Sequence, residues 1–331
     1  PLDAVRKEKV SIFCNMRPQD IISAPDVKSI YDVPINFEKD HLGIHLLEKF
    51  GLKPRVRDGH QWRALVKRMH ALTHEVRIGI VGKYFGTGDF TLSDSYISVI
   101  ESLKHASWKV GAKLAIDWLS SEEYEKKPKS VVGLTAYDGI LVPGGFGARG
   151  VEGKMLAIRY CREQKIPYFG LCYGMQLATI EFARNVCGLR GAHTTEVNPK
   201  TKHPVITTMA EQEALIASGD MGGSMRLGSY DCDLAEGSIS RLAYGEGRIS
   251  ERHRHRYEFN NQYRMQLEGK GLRIAGINPK RNLVEIIELP NHPFFVGVQF
   301  HPEFKGRPLE PHPLFVSFLK ASMTRSQEPK A

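Results

Sequence analysis

Apolar residues along this chain follow two rhythms. Short runs at 76–82, 114–118, 138–142 and 167–171 are dominated by Val, Ile, Leu and aromatic residues. Runs of that length and composition predict strands buried on both faces of a sheet. Segments 92–108, 152–164 and 174–187 predict helices; Met175, Ala178, Phe182 and Val186 recur at helical spacing, and Gly188 follows where a helix would stop. Strand and helix alternate, which predicts an α/β fold: a doubly wound, mostly parallel sheet flanked by helices, with right-handed crossovers. From 224 to 300 the runs are strand-like with few helical patterns, so an antiparallel extension is expected there. Phe294–Phe300 (FFVGVQF) reads as a strand, Leu314–Ser322 as a closing helix and 326–331 as a disordered tail. Near the start, Trp62–Leu72 reads as a basic amphipathic helix.

Chemistry enters where the strand 167–171 meets the helix 174–187. Gly170-Leu171-Cys172-Tyr173-Gly174 is a G-x-C-x-G turn, the nucleophile elbow with sulfur in place of oxygen. Its glycines allow a sharp turn and leave room for a substrate. The helix dipole favours thiolate, the reactive form. Most cysteines are small buried hydrophobes, and that reading is assigned to Cys14, Cys161, Cys187 and Cys232, which lack flanking glycines and a basic partner.

A base for this thiol lies in His301-Pro302-Glu303, after the FFVGVQF strand. Residues i and i+2 of an extended segment point the same way, and Pro302 biases His301 toward extended geometry. Glu303 can then hold one ring nitrogen and stabilise the imidazolium, giving a triad in the order Cys, His, Glu. A third segment, Pro143-Gly144-Gly145-Phe146-Gly147, follows a buried strand. Glycine-rich turns there expose backbone N–H groups at the ligand-binding edge of an open α/β sheet. The N–H groups of Gly145 and Tyr173 are candidates for an oxyanion hole, where losing one donor costs roughly 3 kcal/mol.

These three segments, in this order, resemble the class I (triad) glutamine amidotransferases. The runs Gly191–Glu196 (GAHTTE), Met225–Gly228 (MRLG), Glu251–Glu258 (ERHRHRYE), Val81–Tyr84, Asp94–Tyr96 and Ser98–Glu101 are similar to the CTP synthase branch of that family, and the likeness covers almost the whole chain. The resemblance implies a glutamine pocket made by Gly145, Tyr173, Gly174, Met175, Gln176, Glu196 and Arg256. The charges suit it: glutamine is a zwitterion, needing a carboxylate for its ammonium and an arginine for its carboxylate. It also implies GTP as an allosteric activator, acting at Arg149-Gly150-Val151-Glu152, although a plain salt bridge would explain that arginine equally. Met225–Gly228 is a candidate lid.

By the same resemblance, residues 1–57 correspond to the C-terminal end of a synthetase domain, 58–73 to a linker helix and 74–325 to the amidotransferase domain. Lys9–Cys14 would then be an exposed edge strand, disordered, or paired with another copy. ATP, magnesium and UTP would be handled by the synthetase domain, which this chain lacks; no G-x-x-x-x-G-K-[ST] phosphate loop occurs. The implied full-length enzyme is a cytoplasmic homotetramer that aminates UTP to CTP, and this part alone would hydrolyse glutamine. Two other readings are a stand-alone γ-glutamyl hydrolase of the same fold and a non-catalytic assembly module.

Composition changes little. With 331 residues, 41% hydrophobic and 25% charged, the chain can fill one large domain and an appendage. Five cysteines without regular spacing argue for a reducing compartment and against a disulfide frame or metal site. No run is long enough to span a membrane and no signal peptide is visible. The net charge of +9 comes without a nucleic-acid motif, so no nucleic-acid partner is expected.

Overall fold

The computed structural model describes residues 1–55, 58–83, 86–87, 90–91, 96–208 and 225–328. It divides into two units, Pro1–Ala71 and Leu72–Ala331.

The first unit is helical among its described residues: α1 (Ala4–Cys14), α2 (Val33–Lys39), α3 (Leu42–Lys49) and α4 (His60–His70). Lys9–Cys14 is therefore the end of a helix, not the expected strand. A strand needs a neighbour for its backbone, whereas a helix satisfies its own. Local signals also favour the helix: the Asp3 side chain caps the N–H of Arg6, and Asn15 ends it in the left-handed region at φ 50°. One consequence is that Cys14 is exposed rather than buried, beside an 88% exposed Phe13. The amphipathic segment forms α4 as expected, burying Leu65 and Val66. Trp62 stacks on Tyr31 at 5.8 Å and donates to its carbonyl at 2.9 Å.

The second unit begins with β1 (Glu75–Gly82), a short hairpin of β2 (Gly86–Thr87) and β3 (Phe90–Thr91), α5 (Ile97–Val110), β4 (Lys113–Ser120), α6 (Ser121–Lys126) and β5 (Gly139–Val142). Next come α7 (Val151–Glu163), β6 (Tyr168–Leu171), α8 (Tyr173–Asn185), β7 (His193–Thr194) and β8 (Pro204–Thr207). The remainder is β9 (Arg226–Leu234), α9 (Ile239–Tyr244), β10 (Arg248–His255), β11 (Glu258–Phe259), α10 (Arg264–Glu268), β12 (Arg273–Asn278), β13 (Leu283–Glu288), β14 (Phe295–Val298) and α11 (Pro313–Ser326). The main sheet has nine strands in the order β10-β9-β12-β13-β14-β6-β5-β1-β4. Strands β14, β6, β5, β1 and β4 run parallel, and the other pairings are antiparallel. This is the expected α/β sheet with its antiparallel extension.

Two apolar layers cover the sheet. On one face α7 and α8 pack Met155, Ile158, Leu177 and Ile180 against Ile140, Tyr168 and Phe295. On the other, α5 and α11 pack Leu103, Phe315 and Phe318 against Ile78, Leu141 and Phe169. Phe169 meets the rings of Phe294, Phe315 and Phe318 at 5.8, 5.2 and 5.8 Å. Each such side chain contributes about 1.5–3 kcal/mol by leaving water.

Three expectations shift. Helix α5 starts at Ile97; residues 92–95, including Asp94 and Ser95, lie outside the described residues, as does Tyr84. The candidate lid at Met225–Gly228 is instead the start of β9, with Arg226 only 3% exposed. Its guanidinium is drawn inward by Glu285, 2.6 Å away. Finally, α11 runs through Ser326, with Gln327 and Glu328 still bonded to Thr324 and Arg325 carbonyls; residues 329–331 are outside the described set.

Candidate active site

Cys172 sits between β6 and α8 as the residue capping the helix, at φ 49° and ψ −98°. The strained conformation thus falls on the cysteine itself, and neither flanking glycine has positive φ. The glycines are needed for close approach instead. A Cβ on Gly174 would lie 2.3 Å from the Val142 carbonyl oxygen, and one on Gly170 would lie 2.8 Å from the Gly174 carbonyl carbon. Cys172 is held from behind by its N–H, which donates to the Val298 carbonyl at 2.6 Å. As the first helical residue, Tyr173 has an N–H with no acceptor in its own helix.

His301 follows β14 at φ −114° and ψ 82°, and Pro302–Phe304 then form a 3₁₀ turn. That turn, rather than a straight extended run, brings Glu303 back to the ring, with Nδ1 and Oε1 2.7 Å apart. Burial opposes the imidazolium, but the Cys172 thiolate and the Glu303 carboxylate outweigh it and push His301 up to about 11. Nε2 is buried without an internal hydrogen-bond partner. Phe304 stacks on the imidazole at 5.2 Å, fixing its plane. A cavity of about 170 Å³ abuts His301 and Glu303, walled by Tyr96, Pro143, Gly144 and Arg254.

The glycine-rich turn after β5 lies against this pair. A Cβ on Gly144 would sit 3.0 Å from His301 Cε1 and 3.7 Å from Cys172 Cβ; one on Gly145 would meet the Tyr173 ring at 3.7 Å and Lys154 Nζ at 3.8 Å. Side chains pin the turn. Lys83 Nζ donates to the Phe146 carbonyl, Tyr173 Oη donates to the Gly147 carbonyl at 2.9 Å, and the Gly147 N–H donates to Glu196 at 2.9 Å.

Glu196 is therefore beside the turn. Burial raises its pKa, while the Gly147 N–H and the charges of Lys83 and Arg256 hold it down. Arg256, half-buried just past β10, is near enough to act on Glu196 and Tyr257. Met175 is fully buried in the core, and the Gln176 amide nitrogen donates to the Tyr257 carbonyl and to Gln299. The segment at the start of α7 is tied into surface pairs. Arg149 meets Glu122 at 3.0 Å and donates to the Lys83 carbonyl, Gly150 caps the helix at φ 72°, and Glu152 meets Arg184 at 3.0 Å.

Sequence reasoning missed three groups here. Gln299 touches the Cys172 sulfur, and its polar side chain in an apolar strand, two residues before His301, was the available signal. Lys154 is 1% exposed on α7, with its Nζ 5.4 Å from the centre of the Tyr173 ring, and burial with nearby Lys83 lowers its pKa to about 7. The third is a buried network in which Arg226 meets Glu285 at 2.6 Å, and His253 meets the other Glu285 oxygen at 2.8 Å. Its histidine comes from the ERHRHRYE run, whose period of two is that of a strand with two differently used faces: β10 alternates buried Glu251, His253 and His255 with exposed Arg252 and Arg254, while Arg226 and Glu285 come from β9 and β13. Of the cysteines read as inert, Cys161 and Cys232 are buried, with thiols pushed up by burial, and Cys187 is partly buried. Among the described residues, no group of three His, Cys, Asp or Glu side chains could hold a metal ion. No helix among them is long and apolar enough to cross a membrane.

Residues 91–321 match the family described as glutamine amidotransferase class-I, and residues 1–52 match CTP synthase N-terminus. A CTP synthase of Acidobacterium capsulatum is 51% identical over 96% of this chain and 56% of its own length. One from Halalkalibacterium halodurans is 47% identical over 98% of this chain and 59% of its own. The chain thus spans a little over half the length of these curated relatives. A solved glutaminase domain of the Trypanosoma brucei CTPS, with bound acivicin, is 38% identical at a TM-score of 0.69, covering 77% of this chain and 96% of that one. On sequence and fold together, the chain belongs to the class I glutamine amidotransferases, and within them to the glutaminase domains of the CTP synthases.

Proposed function

We propose that this chain hydrolyses L-glutamine through a Cys172 thioester, and that in a longer protein the ammonia aminates UTP to CTP with ATP and magnesium at a synthetase domain. The observation that carries this reading is the meeting, from three separate loops, of a strained thiol, a carboxylate-held imidazole and a glycine turn. The thiolate attacks the side-chain amide carbon, and the negative charge moves to oxygen beside the Gly145 and Tyr173 N–H groups. The imidazolium of His301 gives a proton to the departing nitrogen, and ammonia leaves. Neutral His301 then takes a proton from water as the hydroxide adds to the thioester. Collapse releases glutamate and restores the thiolate and imidazolium. Glu303 holds the ring throughout. Glu196 and Arg256 suit the ammonium and carboxylate of glutamine, and the backbone of Tyr173–Gln176 lines the turn.

GTP activation at Arg149–Glu152, a homotetramer and a cytoplasmic setting belong to the same proposal. Exposed ion pairs such as Arg149–Glu122 contribute only about 0–1 kcal/mol, so that arginine could exchange partners. A stand-alone γ-glutamyl hydrolase is disfavoured because the similarity to CTP synthases runs through both units.

The test is labelling by 6-diazo-5-oxo-norleucine with peptide mapping. One adduct on Cys172, suppressed by glutamine and absent in Cys172→Ala, is expected. Equal labelling of several cysteines, or labelling that glutamine does not suppress, would overturn the reading.

A further inference from the structure

The geometry points to a further catalytic residue: we propose that Gln299 holds the Cys172 thiolate through an amide N–H donated to sulfur. This rests on the glutaminase reading above and adds a group to it. Gln299 Nε2 lies 3.6 Å from Cys172 Sγ, and its side chain is completely buried. Sheet register places it there. Val298 pairs with Leu171 across the parallel β14–β6 ladder, so the next residues, Gln299 and Cys172, come level. The Gln299 backbone is fixed as well, its N–H donating to the Glu285 carbonyl at 2.8 Å.

Either end of a glutamine amide could face the sulfur, but the neighbouring bonds decide which does. The Tyr257 carbonyl can only accept, so Gln176, 2.9 Å away, must present its NH₂ there. The same NH₂ group reaches Gln299 at 3.2 Å, so Gln299 must present oxygen to it. Its own NH₂ is then turned to Cys172. The Tyr257 carbonyl, in the turn that carries Arg256, thus fixes the orientation of both amides and, through them, which group faces the nucleophile. A buried donor aimed at sulfur favours thiolate over thiol and also stabilises thiolate as the leaving group when the thioester is cleaved.

Gln299→Glu keeps the shape and the oxygen facing Gln176 but puts an acceptor before the sulfur; Gln299→Met removes the donor together with the oxygen facing Gln176. Alkylation of Cys172 by iodoacetamide, followed across about pH 6–10, reads the thiolate directly and needs no substrate. Both variants should react roughly ten- to hundredfold more slowly than wild type near neutral pH, Glu more so than Met, and recover toward the wild-type rate as pH rises. Slowing by the same factor at every pH would mean a packing role, and unchanged rates would mean none; either result overturns the proposal. Should both variants fail to fold, Gln176→Met tests the same chain from its other end, with a smaller slowing and the same recovery at high pH expected; a pH-independent effect there counts against it. Glutamine protection of the wild-type thiol is run alongside. Failure of that protection defeats the glutaminase reading, whereas protection with unaltered variants defeats only the role of Gln299.

Discussion

Arg226 offers the sharpest test of how the site is supported. Its side chain is 1% exposed, 2.6 Å from Glu285 and 3.7 Å from Glu258, whose side chains are 0% and 2% exposed. Arg226→Met keeps the length and removes the charge, leaving His253 as the near side-chain partner of Glu285 among the described residues. Removing one member of a buried pair typically costs about 3–5 kcal/mol, because the other charge stays desolvated. For a domain of this size each kcal/mol lowers Tm by about 2–4 °C, so a fall of roughly 6–20 °C is expected. Glu258 supplies the internal control. Burial, seconded by the charge of Glu285, pushes its carboxyl well above the usual range against the pull of Arg226, so it is held toward the neutral acid. A neutral acid and an amide differ little, so Glu258→Gln should cost no more than about 1 kcal/mol. Urea denaturation of both variants, with the slope checked against wild type, measures the difference. If Arg226→Met lost less than about 1 kcal/mol, or Glu258→Gln lost as much as Arg226→Met, the assignment of charge in this network would be wrong.

Other perturbations bear on the proposed nucleophile and its surroundings. Glu303→Gln removes the charge from a 2.7 Å bond to His301 and should slow inactivation by the diazo analogue about 10- to 100-fold; a rate within about threefold of wild type would remove Glu303 from the mechanism. Because Cys172 carries φ 49°, Cys172→Gly should be more stable than Cys172→Ala by about 1–2 kcal/mol, which thermal unfolding can measure; the reverse order would mean the elbow is unstrained. Lys154 has its pKa lowered from 10.5 to about 7, so between those values the unfolded chain binds a proton that the folded chain does not, and wild-type stability should rise with pH. Lys154→Met should accordingly exceed wild type in Tm near neutral pH, with the gap closing toward alkaline pH, and a constant gap across a pH series would contradict a buried titrating amine.

The parallel half of the fold was legible because each of its strands is an uninterrupted apolar run and each helix keeps its period. Cys172, His301 and the turn at Gly144–Gly147 were legible for a different reason: glycine and proline mark where the chain must turn, and chemistry stands beside them. Lys9–Cys14 was misread because the strand was inferred from the resemblance of residues 1–57 to the end of a synthetase domain, whereas the capping by Asp3 and Asn15 decided the outcome locally. Arg226 was misread because a single arginine in a polar-looking run gives no sign that two glutamates 32 and 59 residues later will enclose it. Pairings of that kind are set by the order of β9, β12 and β13 in the sheet, and no local pattern encodes that order.

Register links the strands to the chemistry. Strands β5, β6 and β14 are neighbours although β14 comes more than a hundred residues later in the chain. Val142 pairs with Gly170, which sets Gly144 level with Cys172; Val298 pairs with Leu171, which sets Gln299 level with it and His301 just beyond. The thiol therefore lies between an N–H-rich turn on one side and an amide and imidazole on the other, with no freedom left to the loops. Side chains alternate along a strand, so a slip of one residue between β14 and β6 would turn Gln299 and His301 away from Cys172 together. What fixes that register is the aromatic filling of the strands, Tyr168 stacked on Phe295 at 4.5 Å and Phe169 edge-on to Phe294, so the positions of the proposed reacting groups are determined in the core, several residues before the loops that carry them begin.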